Sequence, residues 1–338
     1  MELINDKRVC HQEGCKILEG GSCLEGIDVT KDVCPHFYLE SDNIDSSENN
    51  KINESQTNNI KLFTGKEMTF SETAIITNNN DVIFIAIVGE SKSGKTTLLA
   101  EYFINFQKGP FYDYYFAGSM TQIGFEERIF LATVGSKARR PDTFRTLSKE
   151  FNFLHLALKQ KNKLQDNPIH YIISDISGER FREAKVSSAS MKELHTLKSA
   201  DHILFLINGQ KLADKTTRSL TIEDAKTFIQ KALDEGIFNE STNLKIAVSK
   251  WDYLEQDLTF NYNERIVNGF NERFKSRLSK LSFIKIAARS HITSLQAGLG
   301  LNDLLQEWEV VDIQLTENKV QIERTRLRAY NNYTFPLS

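Results

Sequence analysis

Residues 82–97 constrain this chain more than any other stretch. A β-rich apolar run, Val82 to Val88, leads straight into Gly89-Glu90-Ser91-Lys92-Ser93-Gly94-Lys95-Thr96, and Thr97-Leu98-Leu99-Ala100-Glu101 continues in helix-forming residues. Strand, glycine-spaced loop and helix in immediate succession form the setting in which GxxxxGK[ST] becomes a phosphate-binding loop, the P-loop. Gly89 and Gly94 let the backbone turn and bring its N–H groups close to phosphate oxygens. The helix beginning near Lys95 points its positive end at the same anion. Lys95 is placed to reach the β- and γ-phosphates, the Thr96 hydroxyl to ligate Mg²⁺, and Thr97 closes the binding stretch. A glycine-rich β–α turn without a ligand could share the spacing. With both flanks in place, a nucleoside triphosphate is the expected ligand.

The chain has 338 residues, enough for a full-size α/β domain and something small beside it. Its net charge of −3 offers no bulk electrostatic case for nucleic acid as a partner. No apolar run approaches the length of a membrane span, and Met1 to Lys7 lacks the apolar core of a signal peptide. A cytoplasmic protein is expected, and the high Asn and Lys usage fits a low-GC bacterial source.

All four cysteines, Cys10, Cys15, Cys23 and Cys34, fall near the N-terminus. Such clustering points to a local site, and in a reducing cytosol a metal is favoured over disulfides. Four thiolates make a closed tetrahedral structural Zn²⁺ site, although the spacing is not a regular CxxC pair. His11 and His36 flank the cluster and could each replace one cysteine; free thiols and disulfides are the alternatives. Residues 1–40 are therefore expected to be a zinc-binding segment stapled by its metal. Residues 41–60 are nearly devoid of apolar side chains and read as a flexible acidic linker. A globular α/β domain is expected over 61–312 and a tail over 313–338. That tail carries Arg324, Arg326 and Arg328, and reads either as a partner-binding segment or as a frayed, solvated end.

Within 61–312 the pattern predicts a lead-in strand and short helix over 61–77, then a strand over 113–120 and a helix over 122–132. Residues 151–159 and 168–174 form an antiparallel hairpin, and 202–208 is a fully buried strand. A helix follows over 221–233, with further strands over 243–248 and 283–288 and a closing helix after Gly300. Two of these strands end in further chemistry. Residues 168–174 run into Asp175-Ile176-Ser177-Gly178, a DxxG turn with a carboxylate and a free backbone N–H. Residues 243–248 run into Ser249-Lys250-Trp251-Asp252. An Asp carboxylate can accept from both guanine N1–H and N2–H₂, whereas adenine has neither donor there. The Lys250 stem would pack along the base.

In this order and spacing, the motifs resemble the Ras-like GTPases of the translation-factor-related class. More closely, GESKSGKTTLLAEYF, FAGSMTQIGFEER, FLHLAL, DISGERF and the cysteine-rich start resemble the "double-GTPase" proteins of bacterial GTPase-associated conflict systems. The resemblance implies a three-layer P-loop NTPase fold with a mixed, mostly parallel sheet, and nucleotide at the carboxyl ends of the strands. It implies GTP and GDP as ligands, with Mg²⁺ held by Thr96, by Asp175 through water and by a switch threonine, and with Gly178 N–H on the γ-phosphate. Thr143 is chosen for the switch position, with Thr146 second; Arg140 has the RxxT spacing of an arginine supplied in cis. Ala288-Arg289 is placed to offer a backbone N–H to guanine O6. Glu179 stands directly behind Gly178, where Ras-type proteins carry a water-orienting glutamine. An ionised carboxylate there only accepts hydrogen bonds and repels the γ-phosphate, so hydrolysis should be slow without a partner. A GTP-hydrolysing switch in a bacterial defence system follows, with protein partners at the switch loops, zinc segment or tail. An ATPase or nucleotide kinase, and a nucleotide-stabilised scaffold with little turnover, are the alternatives.

Overall fold

The computed structural model describes residues 63–130, 152–255, 257, 259–290, 295 and 298–309, and the backbone of 8–10 and 37–39. The chain divides into a unit at Met1–Lys61 and a unit at Leu62–Ser338. In the first, β1 (Arg8–Cys10) pairs antiparallel with β2 (Phe37–Leu39). The Cys15, Cys23 and Cys34 expectation lies outside the described residues, as do His11 and His36, and Cys10 is described by its backbone alone.

The second unit opens with α1 (Ala74–Thr77), the short helix of the lead-in; the lead-in strand is reduced to one bridge, Met68 to Phe153. Then come β3 (Val82–Gly89), α2 (Lys95–Lys108), β4 (Tyr114–Gly118) and α3 (Gln122–Ile129). The hairpin is β5 (Phe153–Gln160) and β6 (Ile169–Asp175). It is followed by α4 (Gly178–Val186), α5 (Ser188–Glu193), β7 (His202–Asn208), α6 (Gly209–Ala213) and α7 (Arg218–Asp234). The chain then adds β8 (Asn243–Ser249), a π-helical turn at Asn263–Asn268, α8 (Gly269–Phe274), β9 (Lys280–Lys285) and α9 (Leu301–Trp308).

The seven strands β3–β9 form one sheet in the order β4-β5-β6-β3-β7-β8-β9. β6, β3, β7, β8 and β9 run parallel, while β4–β5 and β5–β6 are antiparallel, so the hairpin expected from sequence is present in a mixed, mostly parallel sheet. The continuous apolar run of β7 is buried along its whole length, as a central strand covered on both faces requires. β9 begins and ends three residues earlier than its apolar pattern suggests; its register pairs Asn243 with Lys280, Ile286 still donates to Val248 O at 2.8 Å, and Ala287 and Ala288 continue past the strand end.

One face packs under α2, α3 and α9, where Leu98, Tyr102, Phe103, Phe125, Leu304 and Trp308 meet Ile85, Ile87, Leu156 and Leu206. The Tyr102 hydroxyl donates to Leu301 O at 2.7 Å and ties α2 to α9. The other face is filled from α4, α5, α7 and α8 by Phe181, Met191, Phe228, Ile229 and Phe270 against Val88, Phe205, Ile207 and Val248. Burial of each such side chain contributes about 1.5–3 kcal/mol. The sheet therefore has covers on both faces and leaves its strand ends to carry chemistry. Among the described residues no helix is long and apolar enough to cross a membrane.

Two histidines sit inside this core. Met120 N donates to His155 Nδ1 at 2.9 Å, which puts the proton of the neutral ring on Nε2, facing His170 Nδ1 at 3.0 Å. Burial, helped by His170, depresses His155 from 6.5 to about 4. Burial likewise depresses His202 to about 4. Both bases are held neutral in the fold, while the unfolded chain takes up protons as pH drops below about 6.5. Stability is thus complete above that pH and is lost as pH falls toward about 4, by up to about 3 kcal/mol per histidine. Thermal melting should show a lower melting temperature near pH 5 than near pH 7; a flat profile across that window contradicts neutral burial.

Candidate functional site

Four strand ends meet at one rim. Register places Asp175 beside Ile87, Leu206 beside Gly89, and Ser249 beside Asn208. The loop 90–94 therefore leaves β3 between the ends of β6 and β7. A Cβ on Gly89 would lie 2.6 Å from Leu206 O and 2.8 Å from Ser93 Oγ, so only glycine lets the loop turn over its neighbour strand. Gly94 caps α2 at φ 90°, a left-handed conformation that favours glycine, and so aims the first N–H groups of α2 into the loop.

Lys95 is buried, and its Nζ donates to Gly89 O at 2.8 Å and Glu90 O at 3.0 Å. Burial lowers its pKa, opposed by the carboxylates of Asp175, Glu179 and Glu90. Thr96 Oγ1 donates to Asp175 Oδ2 at 3.1 Å. A hydroxyl and a carboxylate brought together at the foot of a phosphate loop are oxygen donors of the type Mg²⁺ takes. Ser177 caps α4 by accepting from Arg180 N at 3.3 Å, and Glu179 is the exposed residue of its first turn. Gly178 is pressed onto the loop, for a Cβ there would stand 2.4 Å from Ser91 N. The loop at Ser91 and the start of α4 are therefore closely packed.

Beyond Gly94 lies a cleft of about 210 Å³ between α2, β7, β8 and the segment after β9. Leu98, Leu206 and Ile286 give it apolar walls, while Lys250, Asp252 and Arg289 give it charge. Asp252 is buried, and Lys250 sits at φ 49°, the left-handed turn that starts the 3₁₀ helix Trp251–Tyr253. Burial lowers the Lys250 pKa, with Asp252 opposing and Lys92 assisting. Trp251 anchors the turn: its backbone N–H donates to Ile286 O at 2.9 Å, and its ring meets Tyr262 edge-on at 5.3 Å. Lys285 Nζ lies 4.3 Å from the centre of the Trp251 ring and 4.7 Å from that of Tyr262, so the ammonium sits in the corner between the two rings and makes cation–π contact with both. A cleft with apolar walls and a buried carboxylate in its lining suits a base presenting two adjacent donors. Arg289 Nε donates to Glu101 Oε1 at 2.6 Å, so its side chain braces the slot against α2.

The structure thus gathers residues Gly89 to Thr97, Asp175, Gly178, Glu179, Lys250, Asp252, Ala288 and Arg289 around one end of the sheet. Arg140, Thr143 and Thr146 lie outside the described residues. Ser249, at the first position of the SKWD motif, donates to Ser93 O at 2.6 Å and is 3.1 Å from Ile207 O, which links the base slot to the phosphate loop. Asn208-Gly209-Gln210-Lys211 matches no motif singled out above, yet it joins the site. Asn208 Nδ2 donates to Lys92 O at 3.1 Å, and its Oδ1 caps α6 through Gln210 N. Gly209 admits Ser249 O to within 2.2 Å of where a Cβ would stand. Gln210 Oε1 accepts from Lys250 Nζ at 3.2 Å, and Lys211 pairs with Glu90. The available signal was a polar Asn-Gly step closing the apolar run Ile203 to Ile207.

No curated protein matches the chain. Among solved structures, the signal recognition particle receptor SRb-GTP/SRX complex from Chaetomium thermophilum is 16% identical, covering 63% of this chain and 94% of that chain, at a TM-score of 0.36. The bacterial selenocysteine-specific elongation factor EF-Sec is 14% identical over 68% of this chain and 28% of its own, at 0.36. The S. cerevisiae Ski7 GTPase-like domain bound to GTP is 11% identical over 70% of this chain and 51% of its own, at 0.42. The chain therefore spans about half the Ski7 chain and under a third of the EF-Sec chain, and likeness this distant carries no residue roles across. The phosphate loop, the DxxG turn and the SKWD turn all fall inside residues 83–309, which match the Double-GTPase 2 family, and the chain belongs to that family.

Proposed function

We propose that this protein binds GTP and hydrolyses it slowly to GDP with Mg²⁺, as a nucleotide-dependent switch. The observation that carries the reading is the meeting of three strand-end motifs at one rim: Lys95 and Thr96 in the loop, Asp175 at 3.1 Å from Thr96, and buried Asp252 in the adjoining cleft. In this reading the loop N–H groups and Lys95 Nζ bind the β- and γ-phosphates, with Lys95 turning from the Gly89 and Glu90 carbonyls toward them. Thr96 and Asp175 would hold Mg²⁺, which when bound neutralises charge on the phosphate oxygens. Asp252 accepts from guanine N1–H and N2–H₂ while Lys250 lies along the base. The Gly178 N–H meets the γ-phosphate, and its contact with Ser91 conveys that group to α4. Thr143 and Arg140 are proposed as the switch threonine and the cis arginine on their sequence spacing alone.

Glu179, exposed in the first turn of α4, would in this reading stand where an attacking water has to be oriented. A carboxylate accepts from that water but repels the γ-phosphate it must attack. Single-turnover phosphate release by the purified protein should therefore proceed on the order of 10⁻³ s⁻¹ or slower, and a rate on the order of 10 s⁻¹ contradicts the role given to Glu179.

The N-terminal cysteines are proposed to hold one structural Zn²⁺, on the clustering of Cys10, Cys15, Cys23 and Cys34. Metal analysis should find about one zinc per chain, lost when Cys15 and Cys23 are changed to serine. Free thiols on all four residues in the native, metal-free protein would contradict it.

A further inference from the structure

The phosphate loop carries an acidic side chain, Glu90, in the residue directly after Gly89. A carboxylate so close to a bound polyphosphate is electrostatically costly unless something neutralises it. Its partner is Lys211, on the short helix α6 that follows β7. The backbone under Lys211 is held on both sides. Thr217 Oγ1 donates to Lys211 O at 2.8 Å, and buried Arg218 donates to Leu212 O at 2.5 Å and Ala213 O at 3.2 Å. At the other end of α6, Asn208 fixes the loop itself through Lys92 O at 3.1 Å. The Glu90 side chain enters a small cleft that Thr221 and Asp224 of α7 also line, and Lys185 of α4 pairs with Asp224 at 2.7 Å. Lys211 is thus the cation in ion pair with the Glu90 carboxylate, whereas Lys95 donates to the Glu90 backbone O and Asp224 is paired separately.

The side chains of the pair are 40% and 32% exposed, so water screens it and its worth to folding is small. Its consequence falls on the charge that the loop presents. We propose that Lys211 is a positioning and specificity-determining residue: by pairing with Glu90 it draws that carboxylate aside and keeps the phosphate loop able to accept a triphosphate in preference to a diphosphate. This rests on the nucleotide reading above. Loss of Lys211 leaves one uncompensated negative charge near the loop, and the penalty grows with each further phosphate charge. The triphosphate therefore suffers more than the diphosphate.

The test measures affinities of the full chain for GTP, GDP and inorganic tripolyphosphate, with magnesium, in wild type, Lys211→Met, Glu90→Gln and the double variant. Lys211→Met should weaken GTP and tripolyphosphate about five- to thirty-fold and GDP less, with an unchanged melting temperature. Glu90→Gln should bind triphosphate at least as tightly as wild type. Adding Glu90→Gln to Lys211→Met should bring triphosphate binding back to within about twofold of wild type. Failure of that rescue overturns the proposal, because Lys211 then acts by touching nucleotide or by holding the fold. Equal losses for GTP and GDP, or no loss in Lys211→Met, overturn it as well. If wild type binds tripolyphosphate but no guanine nucleotide, the guanine reading fails while the same four proteins still decide the role of Lys211 with tripolyphosphate. If wild type binds neither, both are overturned.

Discussion

Replacing Lys95 with alanine should abolish measurable GTP binding, a loss on the order of a hundredfold or more, and take hydrolysis with it. The ammonium is buried at the base of the loop and already held by Gly89 O and Glu90 O, so it is set in place before any ligand arrives. Charge-assisted hydrogen bonds are worth about 1.5–3 kcal/mol each, and two of them to phosphate oxygens account for the loss. Burial lowers the Lys95 pKa while Asp175, Glu179 and Glu90 hold the proton on, so the group is poised beside acids that a phosphate will outbid. Titration calorimetry with GTP checks this, and a melting curve of the variant separates a lost ligand contact from a lost fold. Binding within about tenfold of wild type would remove Lys95 from the site.

The second large effect is a change of base. Asp252→Asn should weaken GTP by about a hundredfold and make xanthosine triphosphate the better ligand. Asn keeps one acceptor for N1–H but turns its amide donor toward position 2, where guanine offers a donor and xanthine an acceptor. A buried site that loses its matched partner discriminates strongly, since the unpaired groups cannot turn to water. Asp252 is buried on a turn fixed by Trp251 and by the Lys285 cation–π contacts, so the variant amide has little room to rearrange. Competition between GTP and xanthosine triphosphate on the purified variant reads this out. An unchanged preference means that Asp252 does not read the base.

Where the sequence was explicit, the reason was local. The GxxxxGK[ST] spacing, the apolar run of β7 and the charged turn between β5 and β6 each encode an element by contacts close along the chain, and each element is present. The DxxG and SKWD turns were legible because they close apolar strands, and the sheet then brings those ends together. What escaped depends on contacts between distant residues. Asn208 to Lys92, and Lys211 to Glu90, join positions more than a hundred residues apart, with no motif to mark them. Helix α4 is hidden in the sequence because Gly178 opens it, and glycine there reads as a turn until its contact with Ser91 is known. The early start of β9 has a similar cause: pairing with β8 fixes its register, whereas the apolar pattern of 283–288 continues past the strand to Ile286, which receives Trp251 N–H.

The central claim, that this rim takes guanine nucleotide, is tested most directly by competition. A fluorescent guanine nucleotide bound to the wild-type protein with magnesium is challenged with GTP, GDP and ATP in turn. GTP and GDP should displace it while ATP needs at least about a hundredfold more, as expected for a slot whose carboxylate matches donors that adenine lacks. Displacement by ATP as readily as by GTP would contradict the account.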